Sequence, residues 1–243
     1  MNPSITPANP PANWPKLLLP VFTVAFSSAI ACLLLGARIL LSGSWRQLYL
    51  PWNLFLAWLP LLFAWRAACA DADSTPGRWR FRTYTLAWLL LFPNAHYILT
   101  DLWHLPPNSH SRFWGDLVLI LLFALNGLVL GFLSLYLMQT LVARRFGWVK
   151  GWLFAVAASG LSGVGICIGR FLRWNSWDAL LNPVGLLADI ARCVVGVPEY
   201  PRMILLPALF ATLLFVAYVL LYALTRLPAA PAPDESKLVP FSP

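Results

Sequence analysis

Between Pro93 and Leu105 the chain reads PNAHYILTDLWHL, with Asp101 and His104 three residues apart. At that spacing a carboxyl group and an imidazole lie on one side of a helical turn, where they can share a proton or a hydrogen bond. Asn94 and Tyr97 precede them at helical offsets, so a helix resuming after Pro93 places Asn94, Tyr97, Asp101 and His104 on one face. These groups stand on the tail of a long apolar run. An ionisable side chain in hydrocarbon costs about 2.5–3.5 kcal/mol even on insertion scales, so such a residue reads first as functional. Pro93 removes a backbone donor and is expected to kink the helix that carries the stripe.

A second group closes a later apolar run. Gly169 to Asp178 reads GRFLRWNSWD and holds Arg170, Arg173, Asn175 and Asp178. Guanidinium forks bind carboxylate and phosphate through two parallel hydrogen bonds, so Arg170 and Arg173 are candidates for an anion clamp. Asn53, which opens another apolar run, joins Asn94, Tyr97, Asn175 and Asp178 as an orienting or ligand-binding candidate. Asp101 with His104 is the candidate acid–base pair. The alternative is that these groups only lock helices together, with Arg170 paired to Asp178, Asp101 or Asp116.

No metal site is expected. His96, His104 and His110 fall within fifteen residues, but they lack the spacing of zinc ligands, and His96 points away from the Asp101 stripe. Cys32, Cys69, Cys167 and Cys193 are scattered through different segments and read as small buried side chains. The glycines Gly160, Gly163, Gly165 and Gly169 match no nucleotide loop. Gly165 and Gly169 form a GxxxG pair, which predicts close helix packing. No nucleophile elbow, phosphate loop or paired catalytic glutamates accompany them, and no cofactor is indicated.

The elements that must position these residues are transmembrane helices. The chain has 243 residues, 60% hydrophobic and only 11% charged, whereas soluble domains carry about 25% charged residues. The net charge of +8 is no footprint of nucleic acid, because the basic residues sit between apolar runs, where they orient helices or touch anionic lipid. Six spans are predicted: Leu17–Leu41, Trp52–Trp65, Thr83–Leu102, Leu117–Leu141, Trp152–Ile168 and Met203–Leu224. They define an all-α polytopic bundle over residues 16–227, between Pro-rich tails at 1–15 and 228–243 that are expected to be disordered. The first run is too long for a cleaved signal core.

Before the last span, Asn182-Pro183 predicts an N-cap followed by proline at the first helical position. The apolar stripe from Val184 to Val195 then predicts a helix in the membrane interface. Six crossings put both termini on one side. That side holds ten of the seventeen Lys and Arg residues, which favours cytoplasmic termini in a bacterial inner membrane. Most tryptophans fall at the ends of the spans, as an aromatic belt requires. Asn126, in the middle of the fourth span, is expected to bond to another helix. Parity alone brings the start of span two, the end of three, the start of four and the end of five to one membrane face, whichever way the protein is inserted.

The residues from Tyr49 to Pro183 resemble a family of bacterial membrane proteins known as domain of unknown function 1361. The resemblance rests on Trp52-Asn53-Leu54-Phe55-Leu56-Ala57-Trp58, on Phe92-Pro93-Asn94-Ala95 leading to Tyr97 and Thr100-Asp101-Leu102, and on Gly165 through Asp178. His96 stands where that family usually has proline, and Cys167 where tyrosine is common. This counts against His96 as an essential ligand and leaves Asn94, Asp101, Arg170, Arg173, Asn175 and Asp178 as the better candidates. The resemblance implies a polytopic bacterial membrane protein and supplies no reaction.

The expected function is binding, with or without chemistry, of an anionic amphiphilic envelope substrate at an outer-face polar pocket. The expected partners are the lipid bilayer and an anionic lipid or small anionic ligand. Two other classes stay open: a small transporter or proton-coupled permease in which Asp101 relays a proton, and a structural or assembly protein.

Overall fold

A computed structural model describes residues 14–70, 75–105, 110–174, 178–195 and 202–226. All regular structure among them is helical. Helix α1 (Trp14–Ser42) begins with proline in its first turn and ends at Gly43, whose positive φ of 65° lets its N–H return to the Ile39 carbonyl. Helix α2 (Tyr49–Ala68) buries Leu50, Leu54, Ala57, Leu61 and Ala64, one stripe at helical spacing, and packs against α3 (Thr75–Tyr97) and α4 (His110–Phe146). Helix α4 has 37 residues, a rod of about 55 Å, and touches α1, α2, α3 and α5 (Trp148–Phe171). One residue, Gly147 at φ 97°, separates α4 from α5, a backbone angle that a side chain would strain. After α5 come the short α6 (Asp178–Leu181), α7 (Pro183–Val195) and α8 (Arg202–Leu224), which lies along α5.

Among the described residues, four helices are long and apolar enough to cross a membrane: Leu17–Ser42, Phe113–Phe146, Trp148–Phe171 and Ile204–Leu224. They give the chain the make-up of a multi-pass membrane protein. Their burial orders the bundle. More than half (56%) of the α4 window is covered, against 22% for α1 and 11% for α8, so α4 is central and α1 and α8 turn apolar surface outward. The other two expected spans form helices of 20 and 23 residues, but Arg78, Arg80 and Arg82 in the first turns of α3 make it far less apolar.

Trp88, Phe92, Phe123, Leu130 and Ile166 fill the centre, with Trp88 stacked on Phe92 and Phe154. Two buried polar pairs there bond between helices. Trp88 donates to the Ser134 hydroxyl, and the Asn126 side-chain carbonyl accepts from Ser28 on α1, the interhelical bond expected of it. The GxxxG pair packs as expected: Gly165 faces Pro93 and Gly169 faces Tyr97. A Cβ at Gly165 would stand 2.5 Å from the Pro93 ring, so only glycine lets α5 approach α3 this closely.

Two details differ from expectation. The third span does not stay α-helical to Leu102: α3 runs through Pro93 and stops at Tyr97, and Ile98–His104 is a tighter 3-10 turn. Within it the Thr100 hydroxyl donates to the Tyr97 carbonyl at 2.7 Å. The fourth helix also extends well beyond Leu117–Leu141 at both ends. The expected cap of α7 is present, with Gly185 N–H donating to the Asn182 side-chain carbonyl at 3.0 Å. The predicted tails lie outside the described residues, apart from Trp14 and Pro15, which are helical.

Candidate functional site

The polar residues at the end of α3 meet those of α2 and α5. Asn53 sits one turn after Tyr49 at the start of α2, and its amide donates to Asp101 Oδ2 at 2.8 Å. Asp101 itself lies in the 3-10 turn and is only 1% exposed. A 3-10 turn has three residues per turn, so Asp101 and His104 eclipse each other. His104 Nδ1 stands 3.7 Å from Asp101 Oδ1. Arg170, in the last turn of α5, brings Nη1 to 3.8 Å from the same oxygen. Its Nη2 donates to the Thr100 carbonyl at 2.6 Å and approaches His104 Nδ1 at 3.3 Å. The Tyr97 ring lies under the guanidinium, 5.9 Å from it, and Gly169 makes room for that ring.

This arrangement favours the neutral imidazole: Arg170 Nη2 stands 3.3 Å from His104 Nδ1 and can donate to it when that nitrogen carries the lone pair. Partial burial, and then the Arg170 charge, hold the His104 pKa below the usual histidine value, while a backbone hydrogen bond at Asp101 pulls the other way. The Tyr49 ring packs on the imidazole at 5.0 Å. His104 is half-exposed (46% of its side chain) and Asp101 is not, so the imidazole is the outward end of the pair. Chemically, the group can pass a proton between the surface and a buried carboxyl, and it holds a guanidinium whose counter-charge is that carboxyl.

The structure therefore brings Asn53, Asp101, His104 and Arg170 together, with Tyr97 against Arg170. It does not bring Arg173 in: that residue is exposed at a left-handed backbone position, φ 59°. Asn94 is half-buried within α3, Asp178 opens α6, and Asn175 lies outside the described residues. His96 is turned the other way, into the core. Its Nδ1 meets the Ser162 hydroxyl at 2.8 Å, and its ring lies over Gly131 between Phe92 and Phe132. Among the described residues no three His, Cys, Asp or Glu side chains are grouped to hold a metal ion.

Three residues of the neighbourhood escaped the sequence reading. Tyr49 precedes Asn53 by four positions, which is the signal that it shares Asn53's face. Thr100 offers its main-chain carbonyl, not its side chain, to Arg170, which residue type alone does not signal. Arg38, near the end of α1, grips Asp116 at the start of α4 with two bonds of 2.7 and 2.9 Å, so Asp116 serves α1 and not Arg170. Beyond α5, Trp174 donates to Asp189 of α7 at 2.8 Å, and Arg192 pairs with the same carboxylate.

A family described as "Protein of unknown function (DUF1361)" matches residues 52–221, which contain Asn53, Asp101, His104 and Arg170. Comparison with curated proteins and with solved structures finds no match. The family match covers well over half of the chain, and the protein belongs to that family.

Proposed function

We propose that this protein binds the headgroup of an anionic amphiphile where the ends of α2, α3 and α5 meet, and that binding is coupled to a proton. Arg170 is the anion-binding fork, and Asp101 with His104 is the proton-exchanging pair. One observation carries the reading: a fully buried carboxylate is the counter-charge of Arg170, with a half-exposed imidazole 3.7 Å away as its outward contact. In the resting network Asp101 balances the guanidinium. When Asp101 takes a proton by way of His104, that charge is released, and the Arg170 fork is free for a phosphate, carboxylate or sulfonate. Proton and anion then enter together.

The amphiphile follows from position. Trp52, Trp103 and Trp114 are exposed around the same helix ends, at the level where aromatic belts and lipid headgroups lie. In this reading α2 and α3 cross the membrane with the four most apolar helices, and α7 lies in the interface. The site then faces outward from a bacterial inner membrane, with both termini inside. Asn53 and Tyr97 orient the pair and the fork.

The test uses an alkyl sulfonate, which is anionic at every accessible pH, with purified protein in neutral detergent. Wild type binds it in preference to an alkyl glucoside of equal chain length. Arg170→Gln weakens binding by about tenfold or more, the value of one charge-assisted pair. Equal binding by a folded Arg170→Gln protein contradicts the proposal. A second reading, a purely structural lock, draws on the same bonds from Asn53 and Arg170 to Asp101. It predicts lower stability in the variant and no sulfonate binding by wild type.

A further inference from the structure

A second groove lies at the opposite end of α3. Arg78 and Arg82 are four residues apart and share a helix face, and Arg145 comes alongside from the end of α4. Together they rim a groove of about 260 Å³ whose floor is Phe81, Leu141 and Val142. Among the described residues no acidic side chain lines it. All three arginines are exposed, and the floor residues are half-buried. Arg82 lies over the Trp79 ring and Arg145 over the Phe146 ring, both at 5.7 Å, so aromatic faces hold two of the guanidinium groups at the rim. Lys150 adds a further positive charge over Phe146.

The depth of the groove is set by α3. Arg78 and Tyr97 are nineteen residues apart, about 29 Å along a helix axis, close to the thickness of a bilayer's hydrocarbon core. With Tyr97 at the Asp101 end, the arginines fall at the other headgroup layer. Trp79 and Trp148, both exposed, mark the same level. A positive rim over an apolar floor at headgroup depth complements a phosphate ester with attached hydrocarbon chains. Free phosphate would use the rim and leave the floor unoccupied.

We propose that this groove is a binding site for an anionic phospholipid, with the phosphate on Arg82 and Arg145 and an acyl chain running down over Phe81, Leu141 and Val142. The site is separate from the Asp101 cluster and does not depend on its role. A basic residue near an anionic membrane surface contributes roughly 1 kcal/mol, so two of them set about a 30-fold preference.

The test measures lipid retention by native mass spectrometry on the full chain in neutral detergent. The probes are dioleoylphosphatidylglycerol, dioleoylphosphatidylcholine and inorganic phosphate as competitor. Wild type is expected to hold the glycerol lipid about 30-fold more tightly than the choline lipid. Arg82→Gln/Arg145→Gln is expected to lose that preference. Val142→Trp, which keeps every charge and fills the floor, is expected to lose retention of the glycerol lipid. Equal retention of the two lipids by wild type overturns the proposal, and so does a preference that survives in the Trp variant. Displacement of the lipid by equimolar inorganic phosphate would make this a free-anion site and overturn it as well.

Discussion

At the scale of single residues, His104 is the clearest reporter of the site. Its neutral form is held by Arg170 from α5, with Tyr49 of α2 packed on the ring and Asp101 beside it. The native pKa lies below that of an unfolded histidine, about 6.5. As the pH falls through that value, the unfolded chain takes up a proton that native His104 refuses. Stability therefore falls on acidification and returns as the pH rises. The thermal midpoint of wild type is expected to drop between pH 7 and pH 5, and His104→Gln is expected to flatten that drop. A slope of equal steepness in the variant would show that His104 is not held neutral. The spacing of Asp101 and His104 was legible in the sequence, but the tautomer was not, because it depends on an arginine 66 residues away.

At the scale of elements, the approach of α5 to α3 decides whether Arg170 can reach Asp101. Gly165 against Pro93 sets that approach, and Gly169 against Tyr97 continues it. Gly165→Ala places a methyl group inside the Pro93 ring's contact distance and is expected to cost about 1–3 kcal/mol, as overpacking does. Gly160, on the same helix, has open space around its Cβ position, so Gly160→Ala is expected to be neutral or slightly stabilising. Thermal unfolding of the two proteins in detergent checks this, and equal midpoints would contradict the packing described. The GxxxG pair was readable because small residues at that spacing have few other uses in an apolar helix. The tightening at Ile98 was not, because apolar periodicity does not register where an α-helix gives way to a 3-10 turn.

At the scale of the whole molecule, the sequence indicated which helix ends meet better than which side chains pair. Six crossings were expected to bring Asn53, Asp101, Asp116 and Arg170 to one level, and in the structure Asn53, Asp101 and Arg170 touch. Depth alone does not say which arginine meets which carboxylate. Asp116 belongs to Arg38 of α1 because α1 and α4 are neighbours, and helix adjacency is a property of the bundle and not of any one segment. His96 shows the same limit in reverse. It lies beside the site in sequence, yet its place one face round the helix puts it in the core against Ser162. The charges at the two ends of α3 have different partners. At one end Arg170 is balanced by a buried carboxylate, and at the other Arg82 and Arg145 lie over aromatic rings at the rim of an apolar floor.

The coupling of proton and anion at Arg170 is tested most directly by the pH dependence of alkyl sulfonate binding to wild type and to Asp101→Asn. If Asp101 must be protonated to release Arg170, wild-type affinity rises by up to about tenfold for each unit of falling pH, until the carboxyl is neutral. The Asn variant, with no charge to release, binds tightly at every pH. Wild-type binding that does not change with pH, or an Asp101→Asn protein that folds and no longer binds, would contradict the account.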